Sequence, residues 1–172
     1  MEKKVLVVVD MQNDFIDGAL GTKEAEAIVD NVRRYIENFD GEVVFTRDTH
    51  FENYLETQEG KKLPVPHCIK GTKGYEIRDG LYDAAGSNSK IFDKLTFGST
   101  ELSEYLKAKD EIDEVTLIGL CTDICVISNA LMIKGFLPEV RVKVVENCMA
   151  GVTVESHKNA IEAMKMCQIE VE

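Results

Sequence analysis

The sequence has no hydrophobic run long enough to cross a membrane. The longest uninterrupted apolar run in its 172 residues is segment 5–9, whereas a membrane-spanning helix needs about 20 apolar residues. The N-terminal residues reach Asp10 without the longer apolar stretch and the small-residue cleavage site of a secretory signal. We therefore expect a cytoplasmic protein that spans no membrane.

The sequence is also poor in basic residues and in proline. It contains 20 Lys and Arg residues against 31 Asp and Glu residues, which gives a formal net charge of −11. Nucleic acids and anionic membrane surfaces both require a clustered basic face, so we expect neither as a partner. With 3 Pro, 12 Gly and 44% hydrophobic residues, the chain lies outside the collagen-like, disordered and coiled-coil classes.

Paired cysteines are missing as well. The five cysteines are an odd number and match no disulfide framework. The one close pair, Cys121 and Cys125, has no second pair that would complete a zinc site. We therefore expect the thiols to be reduced.

Short β-branched runs alternate with amphipathic stretches along the chain. This alternation is typical of βαβ units on a parallel sheet, and a chain of this length favours one core over two. We predict a single domain over residues 1–172 of the α/β class, a three-layer α/β/α sandwich with a mainly parallel six-stranded sheet. The predicted strands are 5–9, 43–46, 90–92, 115–118, 140–145 and 169–171.

Helices are predicted between these strands from apolar spacing and capping residues. Thr22 and Ser99 are each placed to cap a helix, and Thr122 or Asp123 is placed to cap a third. The exception is segment 51–89, which lacks periodicity, and a stretch of that length is usually functional or mobile. A last predicted helix carries Val154, Ile161 and Met164.

Five reactive side chains lie at or just after the ends of predicted strands. Ligands of parallel α/β sheets bind at the carboxyl ends of the strands, so these side chains are expected to converge. Each has an ordinary explanation when taken alone, because a cysteine in an apolar helix is more often a core residue. The five are Asp10, Asp48, His50, Lys94 and Cys125.

Cys125 is the candidate nucleophile. Segment 119–123 predicts a sharp strand-to-helix turn, where exposed N–H groups and the positive helix end stabilise a thiolate. Of the histidines, His157 lies in the last predicted helix and the other two are candidates for a different site. We therefore predict that Asp10 takes the thiol proton and that Lys94 lowers the pKa of the thiol.

Asp48, His50 and His67 form a candidate metal site. In an extended segment Asp48 and His50 point to the same side, so they can share one ion, and His67 can complete the set from the long segment. One carboxylate and two imidazoles suit Zn²⁺, Mn²⁺ or Fe²⁺, with water in the open positions. In the alternative, Asp48 caps a turn and both histidines lie at the surface, and spacing alone does not decide.

Together these motifs resemble those of the isochorismatase-like cysteine hydrolases, and within that group they are most similar to the nicotinamidases. The resemblance extends over nearly the whole chain in the same order. The matching segments are 10–15 (DMQNDF), 48–50 (DTH), 66–68 (PHC), 71–74 (GTKG), Lys94 with Phe97, and 119–126 (GLCTDICV).

The resemblance implies a catalytic triad of Asp10, Lys94 and Cys125. It also implies a cis peptide bond between Leu120 and Cys121, a rare geometry outside proline. This bond would direct the backbone N–H groups of Cys121 and Cys125 towards the developing oxyanion.

The resemblance also implies a role for the metal site. In nicotinamidases the ion held by residues matching Asp48, His50 and His67 binds the pyridine nitrogen of the substrate, and an aromatic residue matching Phe15 flanks the ring. Many other family members lack this metal set. The expected cofactor is therefore a divalent metal, with zinc ahead of manganese and iron.

The function expected from the resemblance is hydrolysis of nicotinamide to nicotinate and ammonia through a thioester, a step of NAD salvage. The chain has no Trp, with Val65 in the neighbourhood where nicotinamidases commonly have one, Ile124 where a Tyr is frequent, and Gly98 and Ser99 after Phe97. These departures predict a wider or less aromatic pocket.

Two alternatives stay open. The same triad serves hydrolysis of another small amide or a carbamoyl compound, and a reactive thiol beside a metal also suits a redox-sensing protein without turnover. The sequence leaves a homo-oligomer open as well.

Overall fold

Six parallel strands form the centre of the fold. The computed structural model describes residues 2–86, 88–109 and 111–172. The strands are β1 (Lys4–Val9), β2 (Glu42–Asp48), β3 (Lys90–Lys94), β4 (Glu114–Leu120), β5 (Arg141–Ala150) and β6 (Glu170–Val171). They lie in the order β3-β2-β1-β4-β5-β6, and every pairing is parallel. All six predicted strands are therefore present in the predicted arrangement.

Helices cover both faces of this sheet. The α-helices are α1 (Asn13–Ile16), α2 (Lys23–Glu37), α3 (Gln58–Lys62), α4 (Leu81–Ala84), α5 (Thr100–Lys107), α6 (Ile127–Phe136) and α7 (Val154–Met166). One hydrophobic cluster joins a sheet face to α5, α6 and α7, and a second joins the opposite face to α1, α2 and α4. This confirms the predicted three-layer sandwich. Within the described residues, no helix combines the length and the apolar character that a membrane span requires.

Strand β1 shows how the sequence builds both clusters. Val5, Val7 and Val9 contribute to one cluster, whereas Leu6 and Val8 contribute to the other. Successive side chains of a strand point to opposite faces, and a central parallel strand is buried on both. The continuous apolar run therefore places β1 in the middle of the sheet, with its carboxyl end beside those of β2 and β4.

Two of the three predicted helix caps are confirmed. The Thr22 hydroxyl accepts the N–H of Ala25 at 3.0 Å. The Ser99 hydroxyl accepts the N–H of Leu102 at 3.1 Å. Each bond satisfies an N–H group that the first helical turn leaves without a partner.

The third predicted cap, at Thr122 or Asp123, is wrong. The chain enters α6 through a π-helical turn, Thr122–Val126, whose N-cap is Cys121 and has no side-chain capping bond. The Thr122 hydroxyl lies 2.8 Å from Nδ1 of His157 in α7, so it is committed to a tertiary contact. Sequence spacing predicted that a helix begins here. It did not predict a π-helical turn, in which hydrogen bonds join residues five positions apart.

Segment 51–89 packs against the carboxyl end of β2; Ser87 lies outside the described residues. The segment contains two 3₁₀ turns and two short α-helices, α3 and α4. Gln12 ties it to the sheet, because its side-chain amide N donates to Asp48 O at 2.8 Å and to Tyr75 O at 2.9 Å. Its Oε1 accepts the N–H of Asp48 at 2.7 Å. The segment thereby reaches the strand ends where the reactive residues lie.

Candidate active site

Three side chains from three strand ends meet in a buried group. Asp10 follows β1, Lys94 ends β3, and Cys125 lies in the π-helical turn after β4. Lys94 Nζ is 2.6 Å from Asp10 Oδ2 and 3.4 Å from Cys125 Sγ. The exposed fractions of the three residues are 0%, 3% and 5%. The ammonium group of Lys94 thus lies in contact with both the carboxylate and the thiol.

The backbone and a threonine hold Asp10 in place. Its φ of 46° lies in the left-handed region, and its N–H donates to Thr46 O at 3.2 Å. The Thr46 hydroxyl donates to Asp10 Oδ1 at 2.6 Å. Because Oδ1 is bonded to the threonine, Oδ2 is directed to Lys94.

Burial governs the protonation of this group. It raises the pKa of Asp10, an effect that Lys94 opposes and Asp48 reinforces. Burial lowers the pKa of Lys94, but the charges of Asp10, Cys125 and Asp48 outweigh it and hold that pKa above its ordinary value. The ammonium therefore stays protonated, beside a carboxylate with increased proton affinity.

The Cys125 thiol differs from the prediction. Burial and the charge of Asp10 raise its pKa well above the ordinary value, and the opposing effect of Lys94 is smaller. Burial and Asp10 therefore favour the neutral thiol over the thiolate.

The end of β4 has two unusual backbone features. The peptide bond between Leu120 and Cys121 is cis, as the resemblance implied. Gly119 has a φ of 112°, and a Cβ there would lie 2.2 Å from Val9 O. Glycine is therefore required where β4 passes the end of β1, and the chain turns from there towards Cys125.

Asp48, His50 and His67 lie together and are buried, so the alternative with both histidines at the surface is wrong. Asp48 Oδ2 is 3.0 Å from Nε2 of His50 and 3.5 Å from Nε2 of His67. Glu59 of α3 joins them, with Oε1 at 3.6 Å and 3.7 Å from the same two nitrogens. One ligand atom of each of the four residues lies within 4.8 Å of the others. We call these four residues the ligand cage.

The surroundings of the ligand cage fix its donor atoms. His67 Nδ1 is 2.8 Å from Val65 O, which only accepts, so Nδ1 carries the proton and Nε2 faces the cage. Burial raises the pKa of Asp48, but its contacts with His50 and His67 outweigh burial and lower that pKa. Asp48 Oδ1 accepts no hydrogen bond from the described residues. Two carboxylates and two oriented imidazoles fit a divalent cation.

One cavity opens onto both the triad and the ligand cage. Its volume is about 280 Å³, and Cys125, Asp48, Glu59 and His67 all line it. The ring of Phe15 lies 5.5 Å from the ring of His67 and forms part of the wall. Apolar residues supply much of the remaining lining, including Leu20, Leu63, Phe97 and Ile124. A small, mostly apolar molecule with a few polar groups suits such a cavity.

The whole described architecture recurs in known proteins. The sequence matches the model of the isochorismatase domain over residues 4–172. This chain belongs to the isochorismatase family. The match includes every residue of the triad and of the ligand cage.

Relatives within the isochorismatase family include nicotinamidases. The chain is 34% identical to the isochorismatase family protein PncA of Bacillus subtilis, and the match covers 92% of each chain. It is 29% identical to the nicotinamidase of Escherichia coli, over 96% of this chain and 92% of the relative. The pyrazinamidase of Pyrococcus horikoshii in complex with zinc has a TM-score of 0.85 at 29% identity, covering 99% of this chain and 98% of that chain. The chain is a nicotinamidase-like amidohydrolase.

Three residues that support this isochorismatase-family site were missed by the sequence analysis. Glu59 is one acidic residue among several in segment 51–89, so its sequence context carried no signal. Gln12 lies inside the matching segment DMQNDF, which could have drawn attention to it. Asn129 is a fully buried amide four positions after Cys125 in an apolar helix, and a polar residue in such a helix is itself a signal.

Proposed function

We propose that this chain hydrolyses nicotinamide to nicotinate and ammonia. The observation that carries the proposal is that the triad and the ligand cage open into one cavity of about 280 Å³. A carboxamide at Cys125 would leave the ring of the same molecule beside the cage. The names of the relatives and the zinc complex of a related pyrazinamidase support this assignment.

The first half of the proposed reaction makes a thioester. Asp10 accepts the proton of the Cys125 thiol, and the sulfur attacks the carboxamide carbon. The backbone N–H groups of Cys121 and Cys125 are proposed to stabilise the oxygen that becomes negative. Asp10 then returns its proton to the nitrogen, so that the C–N bond breaks and ammonia leaves. Lys94 remains protonated throughout and offsets the negative charge in this buried site.

The second half hydrolyses the thioester. Asp10, now ionised again, accepts a proton from a water molecule that attacks the same carbon. The C–S bond breaks, the sulfur recovers this proton from Asp10, and the acid leaves as nicotinate after losing its own proton. One base serves both steps, which is consistent with the raised pKa of Asp10.

Asp48, His50, Glu59 and His67 would hold a divalent metal ion, and we propose zinc. When bound, the ion supplies an electron-pair acceptor for the pyridine nitrogen and so fixes the orientation of the ring. Imidazole nitrogen and carboxylate oxygen are ligands that zinc commonly takes. Phe15, beside His67, is proposed to cover one face of the substrate ring.

The redox-sensing alternative fits the site poorly. Redox-sensing cysteines are accessible and have a lowered pKa. Here burial raises the pKa of Cys121 to about 12 and raises the pKa of Cys125 as well. A small amide or a carbamoyl compound without a ring nitrogen would use the same triad but would offer the cage no ring-nitrogen ligand.

Ammonia release from two matched amides tests the proposal. Benzamide has the same carboxamide as nicotinamide but no ring nitrogen. The zinc-loaded protein is expected to hydrolyse nicotinamide at least 100-fold faster, and chelation is expected to abolish that difference because positioning through the ring is lost. Equal turnover of both amides, with no effect of chelation, would assign the chain to a broader class of small-amide hydrolases.

A further inference from the structure

Asn129 connects two sides of the active site. It is fully buried in α6. Its Nδ2 donates to Cys125 O at 2.8 Å and to Phe97 O at 3.1 Å. Its Oδ1 accepts the N–H of Ser99 at 2.9 Å. One side-chain amide therefore bonds both the turn that carries the thiol and the loop between β3 and α5.

That loop, residues 95–99, contacts the triad residue Lys94. Thr96 O accepts a hydrogen bond from Lys94 Nζ at 3.1 Å. Thr96 and Phe97 line the same cavity as Cys125. At the far end of the loop, the Ser99 hydroxyl caps α5. The loop is thus held by Lys94 at its start, by a helix cap at its end and by Asn129 at 97 and 99.

We infer that Asn129 is a positioning residue for amide hydrolysis. It fixes the turn that carries Cys125 against loop 95–99, in which the carbonyl of Thr96 accepts the hydrogen bond from Lys94. The bridge sets the separation of Cys125 and Lys94 from both sides, although Asn129 itself touches neither reactive group. Displacement of reacting groups by about 1 Å can cost about 100-fold in rate. The inference rests on the proposed function for its turnover assay, whereas its thiol assay is independent of the substrate.

Ser103 provides a matched control for a purely structural role. It is also fully buried, and its hydroxyl donates to Ser99 O at 3.1 Å. Ser103→Ala therefore removes a buried hydrogen bond from the same junction of loop and helix. It leaves the bonds to Cys125 and Phe97 intact, so it reports what loss of a buried bond alone does.

The experiment compares Asn129→Ala with Ser103→Ala in the full chain. Three quantities are measured: the Tm, the kcat and KM for nicotinamide, and the rate at which iodoacetamide alkylates Cys125. We expect Asn129→Ala to lower kcat about 100-fold with a smaller change in KM, and to slow alkylation at least fivefold as Sγ leaves its contact with Lys94. Ser103→Ala is expected to lower the Tm while kcat and alkylation stay within twofold.

Asn129→Thr keeps the test decisive if Asn129→Ala does not fold. A threonine hydroxyl can bond the carbonyl four residues earlier, here that of Cys125, but it replaces neither bond to the loop. We expect this variant to lose about tenfold in kcat. A folded Asn129 variant that keeps both kcat and the alkylation rate within twofold of the wild type would overturn the inference. If the wild type fails to hydrolyse nicotinamide, the proposed function fails, and the alkylation rates still decide the role of Asn129.

Discussion

At the scale of single residues, two cysteines line one cavity but have different surroundings. Cys125 Sγ is 3.4 Å from the Lys94 ammonium. Cys121 is the N-cap of the turn, and its proposed contribution is its backbone N–H group, not its thiol. Cys125→Ala should lower kcat by at least 1,000-fold, because the nucleophile and its partners act as a unit. Cys121→Ala should keep kcat within about tenfold, because the N–H group remains. Ammonia release measures both, and the opposite ranking would mean that Cys121 is the nucleophile.

The charges around Cys125 predict opposite effects of its two neighbours on the thiol. Asp10 raises the thiol pKa and Lys94 lowers it. Asp10→Asn should therefore lower the pKa of Cys125 and speed its alkylation near neutral pH, even though turnover is lost with the base. Lys94→Ala should raise the thiol pKa further and slow alkylation. Ultraviolet titration of the thiolate, with Cys125→Ala as the blank, measures the pKa in each variant.

A shift in the same direction for both variants would contradict this electrostatic account. The measurement also separates two roles that an activity assay merges, because both substitutions abolish turnover. Opposite shifts would distinguish Asp10, the proposed acceptor of the thiol proton, from Lys94, whose positive charge stabilises the thiolate.

At the scale of elements, a glycine allows the end of β4 to lie close to the end of its parallel neighbour β1. Gly119→Ala would place a Cβ 2.2 Å from Val9 O at a φ of 112°. We expect a loss of about 2–4 kcal/mol in the free energy of unfolding. The kcat should fall as well, because Asp10 follows Val9 directly. Denaturant unfolding and ammonia release measure the two effects.

Gly135→Ala is the matched control for this substitution. Gly135 lies in α6, and a Cβ there would meet nothing within 4 Å. Alanine in a helix is favoured over glycine, so this variant should gain about 0.5–1 kcal/mol. Similar losses in both variants would mean that the contact with Val9 O does not decide the stability at 119.

The elements that sequence reasoning located best are those with strong patterns. The apolar run of β1 and the capping residues Thr22 and Ser99 predicted structure that is present. The elements of segment 51–89 are only three to five residues long, too short for a periodic pattern to emerge. Strand β5 continues to Ala150, beyond the predicted end at 145, after a register shift against β4 that no residue pattern indicated.

The site was predictable where residue type and strand position agreed. The triad residues and the three predicted cage residues are brought together as expected. Glu59 was missed because α3 places it near His67 only through tertiary packing. The predicted direction of the Cys125 pKa shift was wrong. The prediction considered the helix end and Lys94 but not burial, which is a property of the folded chain.

At the scale of the whole molecule, the ligand cage joins segment 51–89 to the sheet. Asp48 ends β2, whereas Glu59 and His67 come from the segment. Zinc at 100 times its Kd should therefore stabilise the folded state by about 2.7 kcal/mol and raise the Tm by several degrees. His67→Ala should remain folded but lose this shift, because a chain of this size has a core without the ion. Calorimetry with and without chelator measures it, and an undiminished shift in His67→Ala would place the ion elsewhere.

The strand order also bears on how the chain is made. During synthesis β1, β2 and β3 emerge first, and Asp10 and Lys94 are present before Cys125. Until β4 arrives, one edge of the apolar strand β1 has no neighbour in the sheet. Such an edge pairs readily with other chains. A chain whose translation stops before β4 would therefore aggregate rather than persist as an inactive monomer, and the nucleophile arrives with the strand that closes this edge.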